Sequence, residues 1–135
     1  MISRLIKTVR LLHSAIFYPT PLMLVYFVTA RCNARCRMCF YASPVEGDRE
    51  LTVAEVEKIA ASLGTIHWLL LSGGEPFLRS DLVELCAAFL RTGKVRYLQI
   101  PTNAWNAERI VATTRSIIEA NPTLPKLVVS VSIDH

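Results

Sequence analysis

Residues 66–93, "IHWLLLSGGEPFLRSDLVELCAAFLRTG", decide the architecture. The stretch opens on a short apolar run, 66–72, with the composition of a buried strand. Gly73, Gly74 and Pro76 then mark a turn, because glycine accepts sharp backbone angles and proline fixes its own. From 79 to 93 the apolar residues fall at helical spacing. Ser80 is the candidate cap, Asp81 and Glu84 suit the positive helix start, and Gly93 is the stop. A buried strand passing through a glycine turn into a helix is one β/α unit.

The alternation extends both ways. Upstream, "LMLVYFVTA" (22–30) is another apolar strand, and "LTVAEVEKIAASLG" (51–64) is a helix opened by a Thr52–Glu55 capping box and closed by Gly64. Downstream, "RYLQIPTN" (96–103) reads as a strand and "NAERIVATTRSIIEANP" (106–122) as a helix ended by Asn121-Pro122. "KLVVSVSID" (126–134) reads as a fourth strand. Apolar strands in the order β-α-β-α-β-α-β predict an α/β fold, with a parallel sheet covered by helices. Right-handed crossovers wind such units one way, into an open sheet or a segment of a barrel. The fourth strand meets the end of the sequence with no helix after it. The expectation is the first part of a larger barrel, about four strands, truncated after the fourth.

Ahead of the strands, residues 1–20 carry Ile2, Leu5, Ile6, Val9, Leu12 and Ile16 at helical spacing, with Arg4, Lys7 and Arg10 between them. They predict a basic amphipathic helix before Pro19, packed against the domain or touching a membrane surface. Residues 21–135 form the domain. A content of 52% hydrophobic against 19% charged residues excludes wholesale disorder and supplies a core. The net charge of +4 comes without a basic stripe, so no nucleic-acid partner is expected. No apolar run reaches membrane-spanning length, and no signal-peptide cleavage site follows the amino terminus. Clustered cysteines without a secretion signal point to the cytoplasm, and to metal binding or catalysis ahead of disulfides.

In open α/β sheets and barrels, ligand chemistry gathers at the carboxyl ends of the strands. The unusual residues fall there: Cys32, Cys36 and Cys39 after the first strand, Gly73 to Pro76 after the second, Thr102-Asn103 after the third, and Ser132 to Asp134 at the fourth. Thiolates are soft ligands that suit iron–sulfur clusters or zinc. A cubane cluster takes one cysteine per iron, so three leave one iron open to grip a substrate or cofactor. Arg31, Arg35 and Arg37 either favour the thiolates or make a solvated loop. Cys86, among Leu82, Leu85, Ala88 and Phe89, reads as a core residue and not a fourth ligand. Glu75 offers a carboxylate to an ammonium group, beside glycines that let the backbone approach a ligand.

Cys32-x3-Cys36-x2-Cys39 after one strand and Gly73-Gly74-Glu75-Pro76 after the next resemble the radical S-adenosylmethionine (SAM) superfamily. "LSGGEPFLRSDL" (71–82) and "SVSID" (130–134) are similar to the branch holding molybdenum-cofactor biosynthesis protein A and the peptide-modifying SPASM-type enzymes. The resemblance covers roughly residues 22–135 and implies a partial TIM barrel. It implies that Cys32, Cys36 and Cys39 hold a [4Fe–4S] cluster whose open iron is chelated by the amino and carboxylate groups of SAM. Within the Gly73–Pro76 motif, Gly74 through its backbone and Glu75 would meet the methionyl amino group. Ser132 would contact bound SAM, and Asn103 matches the family's Thr-Asn element. The reduced cluster would give SAM one electron, yielding methionine and a 5′-deoxyadenosyl radical that takes hydrogen from an unknown substrate. A reductant such as a flavodoxin or ferredoxin is the implied partner.

Three features depart from the family pattern. Met38 stands where an aromatic residue often packs near the adenine, and its thioether fills that place less specifically. Ala104 follows Asn103 where glycine is common, which disfavours a left-handed turn. The strands stop at four of the family's six, leaving the adenosine pocket to a missing carboxyl-terminal part. Two other readings stand beside the enzyme: a truncated, catalytically inactive cluster-binding fragment, and a small zinc-binding interaction module with His67 or His135 completing a Cys3His site.

Overall fold

The computed structural model describes residues 22–39, 49–92 and 95–133. The helix expected over 1–20, the Gly93 stop, Asp134 and His135 lie outside them. The described chain alternates β1 (Met23–Thr29), α1 (Val53–Leu63), β2 (Trp68–Gly73), a 3-10 turn (Pro76–Leu78), α2 (Leu82–Thr92), β3 (Tyr97–Thr102), α3 (Ala107–Ala120) and β4 (Leu127–Val131). The strands form one parallel sheet in the order β1-β2-β3-β4. This is the expected α/β architecture of consecutive β/α units. Among the described residues, no helix is long and apolar enough to cross a membrane.

Local chemistry accounts for the helix ends. Thr52 accepts from the Glu55 backbone N–H while the Glu55 carboxylate reaches back to the Thr52 N–H, so two otherwise unpaired donors are satisfied at the start of α1. Gly64 closes that helix at φ 67°, a backbone state glycine adopts freely. Asn106 caps α3 by accepting from the Arg109 N–H. The start of α2 differs from the sequence expectation. Pro76–Leu78 first make a 3-10 turn, and the side chain of Arg79 is drawn inward. The helix then opens with Leu85 N–H donating to Asp81 C=O at 3.0 Å, and Ser80 remains exposed ahead of it.

The core lies on one side of the sheet. Val28 on β1, Leu69 and Leu71 on β2, and Leu98 and Ile100 on β3 pack with Val56 and Ala60 of α1, Leu82, Leu85, Cys86 and Phe89 of α2, and Ile117 of α3. The strand alternation turns the remaining residues to the opposite face. There the pairing aligns Met23 with Trp68 and Tyr97, and Val25 with Leu70 and Gln99. Met23, Val25 and Phe27 are each 42% exposed. The strands thus read as buried on both faces from composition, while the described helices cover only one.

Candidate functional site

Every strand delivers its chemistry at the same edge. The cysteine loop leaves β1 at Thr29, the glycine motif ends β2, Asn103 follows β3 and Ser132 follows β4. Parallel pairing in chain order brings these four segments side by side.

The glycine motif is bonded to the root of the cysteine loop. Gly74 N–H donates to Thr29 C=O and Glu75 N–H to Arg31 C=O, both at 2.8 Å. A Cβ on Gly73 would stand 2.3 Å from the Thr29 carbonyl oxygen, and one on Gly74 would stand 2.2 Å from that of Arg31. Gly73 also takes φ 124°. The glycines are therefore dictated first by the approach of one loop to the next.

Glu75 is 3% exposed and braces three segments. Its carboxylate accepts from Phe77 N–H at 3.2 Å, Thr102 Oγ1 at 2.9 Å and Asn103 N–H at 2.8 Å. An ionised carboxylate offers about four acceptor positions, so one remains for a further donor such as an ammonium group. Pro76 is buried at the start of the 3-10 turn and fixes the exit from the motif. Ser132 N–H donates to Thr102 C=O at 2.9 Å, which ties the end of β4 to the same frame.

Sequence reasoning missed the clamp at the foot of the cysteine loop. Glu50 accepts from Thr29 Oγ1 and forms a two-pronged pair with Arg31, at 3.0 Å from Nε and 3.2 Å from the second guanidinium nitrogen. Burial pushes the Glu50 carboxyl upward, but the Thr29 and Arg31 hydrogen bonds and the nearby guanidinium charges outweigh it, and the net shift is below the ordinary range. Arg79, 3% exposed, donates to Val28 C=O at 2.6 Å and to Leu51 C=O, and pairs with Asp81 at 2.7 Å. The Glu50 and Arg79 bonds hold the two ends of the 30–51 connection together. Glu50 lies 19 residues from Arg31, and no local pattern announces the pair.

Cys32 and Cys39 are exposed and Cys36 is half-buried; none of the four cysteines forms a disulfide. Cys39 N–H donates to Cys36 C=O at 3.2 Å, a turn that bends the loop between them. Among the described residues no group of three or more His, Cys, Asp or Glu stands close enough to hold a metal ion. The three thiols all stand on the one loop that follows β1. The donor set still fits an iron–sulfur group. It consists of soft thiols outside the core, and the Ala34 backbone N–H and Asn103 Nδ2 already donate to Cys32 Sγ at 3.4 and 3.8 Å. Met38 is 79% exposed. Cys86 is fully buried in α2, and burial pushes its thiol far above the ordinary range, which suits a core residue and not a ligand.

Two expectations change. His67 precedes β2 at the amino ends of the strands, next to Leu22, whose C=O accepts from Trp68 N–H. It lies a strand length, roughly 20 Å, from the cysteine loop and cannot complete a Cys3His site there. Ala104 does adopt the left-handed turn, at φ 61°. The Ala104 N–H bond to Thr102 Oγ1 and the Trp105 N–H bond to Asn103 Oδ1 hold it against a cost of about 1–2 kcal/mol.

Comparison with known proteins agrees with this arrangement. The family description "Radical SAM superfamily" matches residues 26–134. The crystal structure of BtrN in complex with AdoMet and 2-DOIA superposes with a TM-score of 0.60 at 19% identity, over 84% of this chain and 48% of that one. The crystal structure of Streptococcus suis SuiB bound to S-adenosylmethionine superposes with a TM-score of 0.62 at 25% identity, over 84% of this chain and 25% of that one. The chain thus spans about half of the first protein and a quarter of the second, and its four strands correspond to part of their barrels.

Proposed function

The chain belongs to the radical SAM superfamily, and on that premise we propose that Cys32, Cys36 and Cys39 hold a [4Fe–4S] cluster at which SAM is bound and reductively cleaved. Held by Cys32, Cys36 and Cys39, such a cluster would supply the one-electron reduction by which SAM would yield methionine and a 5′-deoxyadenosyl radical able to take a hydrogen atom from a substrate. The observation that carries this reading is the direct bonding of the glycine motif to the root of the cysteine loop, Gly74 N–H to Thr29 and Glu75 N–H to Arg31. It supports the reading because it holds the segment suited to a SAM amino group against the root of the loop that carries the thiols.

On this reading the chain's own residues take distinct roles. Gly74 lets the backbone lie against the cysteine loop, and Glu75 retains one acceptor position for the methionyl ammonium. Thr102 and Asn103 keep the Glu75 carboxylate aimed, and Ser132 lines the same edge. A flavodoxin or ferredoxin is the fitting electron donor. The stretches "LSGGEPFLRSDL" and "SVSID" favour the branch of molybdenum-cofactor biosynthesis protein A and the SPASM-type enzymes.

The test is iron and sulfide analysis of the chain reconstituted without oxygen, with electron paramagnetic resonance of the reduced form before and after SAM is added. About four irons per chain and a spectrum that changes with SAM are expected. Cys36→Ala is expected to lose the cluster. Iron content unchanged in that variant, or a spectrum blind to SAM, sinks the proposal.

A further inference from the structure

The carboxamide of Asn103, just beyond β3, spans the gap to the cysteine loop. Its Oδ1 accepts from Trp105 N–H at 3.0 Å. That bond fixes which way the amide faces, because the oxygen is held by its own turn and Nδ2 must point outward. Nδ2 donates to Asn33 Oδ1 at 2.7 Å and reaches Cys32 Sγ at 3.8 Å. The Asn103 backbone N–H is meanwhile bound to buried Glu75 at 2.8 Å. Main chain and side-chain oxygen are therefore both anchored, and the free end of the amide is presented to the loop at the first cysteine.

Resting on the reading that Cys32 is a cluster ligand, we propose that Asn103 is a positioning residue that steadies the Cys32 sulfur and raises the reduction potential of the cluster. The physical ground is charge. One-electron reduction makes the cluster and its thiolates more negative, and an N–H directed at a sulfur stabilises the more negative state. A purely structural tie between the loops, through Asn33, leaves the potential alone, so the two roles separate in a measurement.

The experiment uses the full chain, reconstituted anaerobically with iron and sulfide. Its 2+/1+ couple is titrated with dithionite and followed by electron paramagnetic resonance in the absence of SAM. Asn103→Ala is expected to shift the potential negative. Asn103→Asp is expected to shift it further, because the carboxylate keeps the Trp105 bond but sets a negative oxygen where the donor stood. It also serves as the test variant if Asn103→Ala fails to fold. Asn33→Ala is expected to stay closer to the unmodified chain than either. An unmodified chain that takes up no iron or sulfide removes the functional reading and this inference together. A cluster in the unmodified chain with unchanged potential in the Asn103→Ala variant, or in Asn103→Asp where Asn103→Ala does not fold, leaves the functional reading standing and overturns the role of Asn103.

Discussion

At Gly74 an added methyl group would meet the Arg31 carbonyl oxygen at 2.2 Å, with the Ala30 carbonyl oxygen at 2.9 Å behind it. Both obstacles are backbone, so the loop must move as a whole. Gly74→Ala is expected to destabilise the fold by about 1–3 kcal/mol, the usual scale of overpacking, and to lower iron uptake by spreading the loops. Urea denaturation and iron analysis check the two effects separately. The pair Gly73-Gly74 was legible as a turn, but its physical reason was not. Sequence reasoning assigned the glycines to a ligand's approach, whereas the first thing they admit is the chain's own cysteine loop. Glu50 and Asn33, and the bond of Thr102 to Glu75, were invisible for a related cause. Each acts on a residue far along the chain, as Thr102 does on Glu75 at a separation of 27, and hydrogen bonds of that kind leave no periodic trace.

Among the elements, the strands and helices were legible because alternation, caps and glycine stops are local signals. The start of α2 was not, because it depends on the tertiary bonds of Arg79. That residue joins β1, the segment entering α1 and the residue just ahead of α2 through Val28, Leu51 and Asp81. The Arg79 guanidinium beside Asp81 holds its carboxyl below the ordinary value of 3.8. A carboxyl whose pKa is lower folded than unfolded contributes stability that is complete above the unfolded value and is lost as pH falls through the folded one. The Arg79–Asp81 pair should therefore support the fold fully at pH 6 and progressively less below pH 3.8. Asp81→Asn is expected to lower stability at pH 6 and to narrow its gap from the unmodified chain as acid is added. A gap that stays constant from pH 6 to pH 3 would show that the pair contributes nothing through its charge. Chemical denaturation across that range is the measurement.

For the molecule as a whole, the two faces of the sheet carry unequal shares of the stability. Leu98 is fully buried among the helices, and Val25 on the opposite face is 42% exposed. Leu98→Ala is expected to cost about 2–5 kcal/mol, and Val25→Ala less than about 1 kcal/mol. Equal costs in urea denaturation would mean that the second face is packed as tightly as the first. Composition alone could not separate the faces, since Met23, Val25, Phe27 and Leu70 are as apolar as the residues opposite them.

The strand order has a consequence in time. Because β1, β2, β3 and β4 lie side by side in the order in which they are translated, each unit can dock on the one before it as the nascent chain leaves the ribosome. The cysteines are among the first described residues to emerge. Their buttresses come later, Glu50 first, then the Gly74 and Glu75 bonds to Thr29 and Arg31, and finally Thr102 and Asn103. The thiols are thus exposed to the cell before the frame that holds their loop is finished. Until Asn103 has been added, the loop lacks its last brace.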